Sequence, residues 1–303
     1  MTGSQQFELM EHVSDSLAGR IAIIELQGFS IYERNNIGLL QKPFIPSAAP
    51  AMQLKHKNAK ETFKIIWQGA FPEVINKDAK DRRYFYESYI RTYIERDVRK
   101  IINVHDETTF RTFIKVIAAR TSQELNLNDI SKDVGIAPNT VKHWLSILRT
   151  FGLIFLLYPF SRNITKRLTK TPKLYFLDTG LAAHLAGWTT PESLEAGVSS
   201  GAFFETFVIG EILKSYWHCG ESPDIYFYSD SDGKEIDLLI YKDNKYYPIE
   251  IKKHSTPKLS DISAFSTFKK LSGVNIGYGC EICLTPDLQP LTPTVMPMSI
   301  WNI

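Results

Sequence analysis

Two acids and a lysine in the C-terminal third have types and spacing suited to chemistry. Asp237 sits in the otherwise apolar run Ile236-Asp237-Leu238-Leu239-Ile240, and Glu250-Ile251-Lys252 follows after twelve intervening residues. A strand alternates its side chains with a period of two, so Glu250 and Lys252 project from one face. Asp230-Ser231-Asp232-Gly233 and Asp243-Asn244 read as turns, which puts Asp237 on a partner strand. Upstream, Phe203 to Leu213 reads as a helix with an apolar face and Glu205 embedded in it. Carboxylates offer oxygen to a hard divalent ion, which in turn polarises a substrate oxygen. The spacing leaves an alternative open: a same-face charge ladder across strands, with Glu205 an acid favoured at a helix N-terminus.

An acid, then acid-x-lysine on the neighbouring strand, with an upstream helical glutamate, resembles the PD-(D/E)XK nuclease superfamily. The resemblance implies a restriction-endonuclease-like α/β/α domain. It assigns Asp237 and Glu250 to a Mg2+ ion, and Lys252 to orienting the attacking water. Glu205 would complete or support the metal shell. A fold of this type also serves as a binding module without cleavage.

A second group of residues suits nucleic acid. Leu127 to Val134 and Pro138 to Leu148 read as two short helices, with Asn128 as cap of the first and Gly135 supplying the turn. Pro138 is suited to a first helical turn. Val141, Leu145 and Leu148 form an inner stripe, which is a helix-turn-helix pattern. Asn139, Thr140, Lys142 and His143 then lie on the outer face near the start of the second helix. Two strands follow, separated by a wing. From Ser161 to Lys173 there are five basic residues (Arg162, Lys166, Arg167, Lys170 and Lys173) and no acid. A basic wing beside such a helix fits contacts to the DNA phosphate backbone. Binding of a protein partner by the same scaffold is the alternative.

The N-terminal stretch carries a different signal. Thr2-Gly3-Ser4-Gln5, Ser16-Leu17-Ala18-Gly19-Arg20, Ile23-Ile24-Glu25-Leu26, Phe71-Pro72-Glu73 and Tyr89 to Val98 occur in this order. They resemble the middle of a prokaryotic AAA-type ATPase fused to a DUF4143 region. The resemblance implies that Thr2, Ser4 and Gln5 are the remnant of a sensor strand beside the nucleotide's γ-phosphate. The family's phosphate-binding loop lies upstream of that strand, and no G-x-x-x-x-G-K-[ST] occurs in the sequence. Intact family members use ATP; this chain alone is expected not to hydrolyse it. A longer natural product with a misplaced start is a further alternative. By the same resemblance Asp81 to Ile102 is a helical lid. Its mixed charges, including Arg82 and Arg83, read as a solvated, salt-bridged surface.

These groups need several elements to position them. The 303 residues suit two or three domains. The expected organisation is a truncated ATPase core at 1–57, a helical lid at 58–105, a winged helix at 106–190 and a nuclease-like domain at 191–303. The fold class is mixed α/β. Thr256 to Leu271 reads as a further helix and Val274 to Leu284 as a strand. Hydrophobic residues make up 44% and the net charge is only +2, so a polycation and a disordered chain are both excluded. No apolar run approaches the ~20 residues that cross a bilayer. A cytoplasmic protein without a membrane partner is therefore expected. Three cysteines cannot build a disulfide framework. Cys280-x-x-Cys283 and His218-Cys219 lack the usual zinc-knuckle arrangement and read as buried thiols.

Overall fold

The structure is a computed structural model, and it describes residues 26–48, 54–75, 77–98, 107–161, 170–286 and 289–303. The chain is mixed α/β, with helices and two sheets. Thr2, Ser4 and Gln5, and the wing residues Arg162, Lys166 and Arg167, lie outside the described residues.

The first described helices are α1 (Ile31–Arg34), α2 (Ala59–Gln68) and α3 (Ala79–Tyr89), which continues as a π-helix over Ile90–Val98. Capping boxes start two of them: Ser30 with Glu33, and Asn58 with Glu61. Each satisfies backbone donors that a helix end leaves unpaired. Arg82 departs from the solvated surface expected for α3. It is 2% exposed. Its guanidinium lies 3.8 Å from the centre of the Trp67 ring and donates to the Gly180 carbonyl at 2.8 Å. Arg83 behaves as expected, exposed and paired with Glu87 at 3.6 Å.

Next come α4 (Glu107–Ala119), β1 (Gln123–Glu124), α5 (Leu127–Val134), α6 (Pro138–Thr150), β2 (Ile154–Leu157) and β3 (Lys173–Phe176). Three strands form an antiparallel sheet in the order β1-β3-β2. Three helices and three strands thus follow one another here in the order α4-β1-α5-α6-β2-β3. The cap of α5 is Asn126, whose side chain accepts from the amides of Asn128 and Asp129. The expected cap, Asn128, is already inside the helix. Gly135 ends α5 at φ +77°, the left-handed conformation that glycine adopts without a Cβ clash. Pro138 opens α6, and Val141, Trp144, Leu145 and Leu148 are its buried stripe.

The C-terminal part begins with α7 (Thr179–Leu185) and α8 (Pro191–Ala196), then α9 (Ser200–Trp217), β4 (Asp224–Ser229), β5 (Glu235–Lys242), β6 (Lys245–Ile251), α10 (Ser263–Lys269), β7 (Gly279–Cys283) and β8 (Val295–Ser299). The five strands form one sheet in sequential order. Pairs β4–β5 and β5–β6 are antiparallel, and β6–β7 and β7–β8 are parallel. Helix α9 is buried almost all round, so it is a core helix rather than an amphipathic surface one. The helix expected over Thr256–Leu271 shrinks to Ser263–Lys269, because 253–262 is spent on turns around His254 and Asp261. The strand expected over Val274–Leu284 is confined to Gly279–Cys283, where it has partners on both sides.

One continuous apolar cluster runs from Ile31 through α4, α5, α6, β2 and β3 to Ile303. Polar contacts tie the N-terminal segment to α9: the Ile31 amide donates to Glu211 at 2.7 Å and the Phe44 amide to Ser215 at 3.0 Å. Past β2, the Phe160 amide donates to the Phe227 carbonyl at 2.6 Å, and the Phe227 amide to the Tyr158 carbonyl at 3.1 Å. Among the described residues, no helix is long and apolar enough to cross a membrane.

Candidate active site

Strands β5 and β6 pair with Leu238 opposite Ile249, which sets Asp237 beside Glu250 in the antiparallel register. Opposed residues in such a pair share a face. Both acids are buried, at 6% and 4% exposure. Burial of carboxylates requires partners. Asp237 finds them through one oxygen: Oδ2 accepts from the Ile251 amide at 2.8 Å and from Lys252 Nζ at 3.4 Å. Lys252 Nζ also lies 2.5 Å from Glu250 Oε1. The second oxygen of Glu250, Oε2, is buried with no hydrogen-bond partner.

Glu205 joins this cluster from the first turns of α9. It is partly buried, and its Oε1 accepts from the Tyr175 hydroxyl at 2.6 Å. Lys173 Nζ is 3.7 Å from the same oxygen and also pairs with Glu235. Sequence reasoning placed Lys173 in the phosphate-facing basic tract. The structure instead turns it inward, buried at the foot of the acid cluster. The sequence signal for this was weak: alternation along Lys173-Leu174-Tyr175-Phe176 puts Lys173 and Tyr175 on one face, with nothing to say what that face meets.

The electrostatics follow from burial and crowding. Burial, then the charge of Asp237, pushes the Glu250 carboxyl up to about 8, against the pull of Lys252. The same two causes push Glu205 up to about 7, against Lys173 and the Tyr175 hydroxyl. Burial disfavours charge on Lys252, but Asp237 and Glu250 outweigh it and hold its pKa above the usual value. Burial, reinforced by Glu205, raises the Tyr175 phenol well above its usual range. Two acids with raised pKa values beside a third mark a place short of positive charge. A hard divalent ion fits the donor set: oxygen ligands throughout, and one buried oxygen left unpartnered.

The predicted nucleic-acid residues fall elsewhere. Asn139, Lys142 and His143 are exposed on the first turns of α6, Thr140 is half-buried, and Lys170 is exposed just before β3. None of them approaches the acid cluster through a contact among the described residues.

A buried polar network that the sequence reading missed braces α2 and α7. Asp178 accepts from the Ala70 amide at 2.6 Å, the Leu181 amide at 2.6 Å and the Tyr86 hydroxyl at 2.8 Å. A Cβ on Gly180 would run into the Tyr86 hydroxyl and the Gln68 carbonyl, so only glycine permits this approach.

Comparison with known proteins matches residues 200–301 to the family described as "Domain of unknown function (DUF4143)", which bears out that part of the expected resemblance. Residues 59–192 match a second, described as "Domain of unknown function (DUF8612)". The chain is also similar to "Uncharacterized protein Rv2008c" of Mycobacterium tuberculosis, 26% identical over 85% of this chain and 53% of the relative. "Uncharacterized protein Mb2031c" of Mycobacterium bovis is similar to the same extent. The chain therefore spans about half the length of the curated relatives it matches.

Proposed function

We propose that this chain binds DNA through the α5–α6 module and carries a Mg2+-dependent phosphodiester-cleaving centre at Asp237, Glu250 and Lys252. The observation that carries the second half is the oxygen Glu250 Oε2, buried without a partner beside a second carboxylate and a lysine. An unpaired buried carboxylate oxygen is costly, and a cation is the partner that removes the cost. Asp237 and Glu250 would hold the ion. When bound, Mg2+ would polarise the phosphodiester and stabilise the charge that develops on it.

The chain's own residues prepare the rest. The Ile251 amide fixes the Asp237 carboxylate, so its position is set by the β5–β6 ladder rather than by solvent. Lys252 Nζ, shared between Asp237 and Glu250, is placed to orient the attacking water and to balance charge. Glu205, anchored by Tyr175 and Lys173, supports the cluster from α9. Hydrolysis adds water across one P–O bond; the water's proton leaves and the departing oxygen gains one.

DNA binding is supported by the exposed Asn139, Lys142 and His143 at the start of α6 and by Lys170 near the sheet. These positions suit backbone contact more than base reading, because the face offers no arginine before Arg149. ATP hydrolysis is not proposed for this chain. ATP use belongs to the AAA-type relatives that the N-terminal motifs resemble. A second reading, a non-enzymatic protein-interaction module, has one observation in its favour: Lys252 already pairs with both acids, as in a cross-strand charge ladder.

Incubating the purified chain with linear duplex DNA, with and without Mg2+, separates the readings. Cleavage by wild type in Mg2+, and none by Asp237→Ala, Glu250→Gln or Lys252→Ala, is the expected result. DNA binding without cleavage, or cleavage that survives these changes, overturns the catalytic half. Retention on DNA that does not weaken with salt overturns the binding half.

A further inference from the structure

One strand away from Glu250 lies a second group of side chains with a different chemistry. Glu250 and Glu281 are register partners on the parallel pair β6–β7. Glu281 and Cys283, two apart on β7, share a face, while Cys280 and Ile282 turn to the other. The chain leaving β6 brings His254 over this face, held by the Leu284 amide donating to the His254 carbonyl at 3.0 Å.

We propose that His254, Glu281 and Cys283 form a binding site for a divalent transition ion of the zinc class. One potential ligand atom from each of the three lies within 4.8 Å of the others. The His254 ring lies against Glu281, with Nε2, the nitrogen that Asp261 engages, 3.7 Å from Oε1. Tetrahedral coordination at about 2.0–2.3 Å per ligand requires the widest of these gaps to close by about 1 Å. His254 stands on a bend rather than in a strand, and with its carbonyl held by Leu284 it is the side chain that makes that movement.

Two observations independent of the grouping point to a ligand. Glu281 is 0% exposed, and its Oε1 has no hydrogen-bond partner; its other oxygen has only the Lys258 amide, at 3.3 Å. His254 Nδ1 is also buried without a partner. Meanwhile Nε2 lies 2.8 Å from Asp261 Oδ2. A carboxylate that fixes one ring nitrogen and leaves the other free is the usual setting of a metal-binding histidine.

The donor set chooses the ion. Thiol sulfur, imidazole nitrogen and one carboxylate favour zinc-class ions, whereas Mg2+ takes oxygen. The two neighbouring centres therefore differ in kind: all-oxygen at Asp237–Glu250, mixed sulfur, nitrogen and oxygen here. Binding exchanges the Cys283 S–H bond for a metal–sulfur bond and releases the proton to solvent; no electron moves. The ion would clamp the turn after β6 to β7, and with it Lys252, two residues from His254.

The test is titration of the metal-stripped full chain with Co2+, whose thiolate complexes absorb in the near ultraviolet. One equivalent should bind with a thiolate-to-cobalt band, displaced by Zn2+ and not by a large excess of Mg2+. Cys283→Ser should abolish the band, and exposed Cys219→Ser should leave it. Because Cys283 is buried, His254→Ala and Glu281→Gln supply the second arm: each should weaken Co2+ binding at least about tenfold, and Asp261→Asn by about 10–100-fold, with unchanged circular dichroism. Failure to bind one equivalent overturns the proposal. So does a band that survives Cys283→Ser, one lost in Cys219→Ser, or affinity unmoved in both His254→Ala and Glu281→Gln.

Discussion

The Tyr175 hydroxyl donates to Glu205 Oε1 at 2.6 Å, joining the central strand of the three-stranded sheet to the core helix α9 of the C-terminal part. The acid cluster is thus built from both halves of the chain. Lys173, two residues earlier on the same strand, reaches the same oxygen and Glu235.

Tyr175→Phe removes a bond that favours ionised Glu205. The Glu205 pKa, already up at about 7, should rise further. Stability should fall by about 1–3 kcal/mol, the cost of a charge-assisted hydrogen bond lost in a buried setting. Urea unfolding gives the second quantity and carboxyl titration by NMR the first; a lowered Glu205 pKa would refute the assigned role of the hydroxyl.

Lys173→Ala and Lys142→Ala should behave oppositely. The first strips a buried cation from Glu205 and Glu235 and should cost about 3–5 kcal/mol, as breaking a buried pair does. The second alters an exposed position and should leave stability within about 0.5 kcal/mol. It should instead weaken DNA binding and reduce the salt slope by about 1. Thermal melts and salt-dependent DNA retention, run on both variants, check the contrast.

Stability should depend on pH through Glu250. Its pKa is raised in the folded chain to about 8 from an ordinary 4.5, so the folded state binds more protons than the unfolded state between those values. Stability from this group is therefore full below about pH 4.5 and lost as pH rises toward 8. Glu205 adds the same trend up to about 7. Melting of Glu250→Gln should show a flatter decline over this range. Mg2+ should raise the melting temperature more at pH 8 than at pH 6, because it competes with the proton; equal stabilisation at both would contradict binding at these carboxylates.

Gly180→Ala should destabilise by about 1–3 kcal/mol through overpacking, since the new methyl meets the Tyr86 hydroxyl and the Gln68 carbonyl. Asp178→Ala should cost at least as much, because three donors lose one acceptor. A Gly135→Ala control places its methyl in open space and should carry only the backbone penalty of φ +77°, about 1–2 kcal/mol.

Much of the local structure was legible because it is written in short-range patterns. Gly135 and Pro138 fixed the turn between α5 and α6, and alternation along 236–240 and 249–252 placed Asp237, Glu250 and Lys252 together. What sequence could not convey is which face meets which. Lys173 has the composition of a phosphate contact and the position of a core cation, and only the packing of β3 on α9 separates the two. Arg82 was misread for the same reason: its burial depends on Trp67 and Gly180, 15 and 98 residues away along the chain. Glu281 and His254 drew no notice, because neither falls in a spaced motif; a register and a turn bring them together.

The two hydrogen bonds between the 158–160 segment and Phe227 have a further effect. Strand β4 is the border of the five-stranded sheet, and its outward backbone groups would otherwise be a template for a strand from another molecule. The chain uses its own preceding segment as a bolt across the middle of that border. Pulling this segment away, by substitution at Tyr158–Phe160 or by force, would free a sticky edge, so resistance to self-aggregation is built into the joint between the two halves.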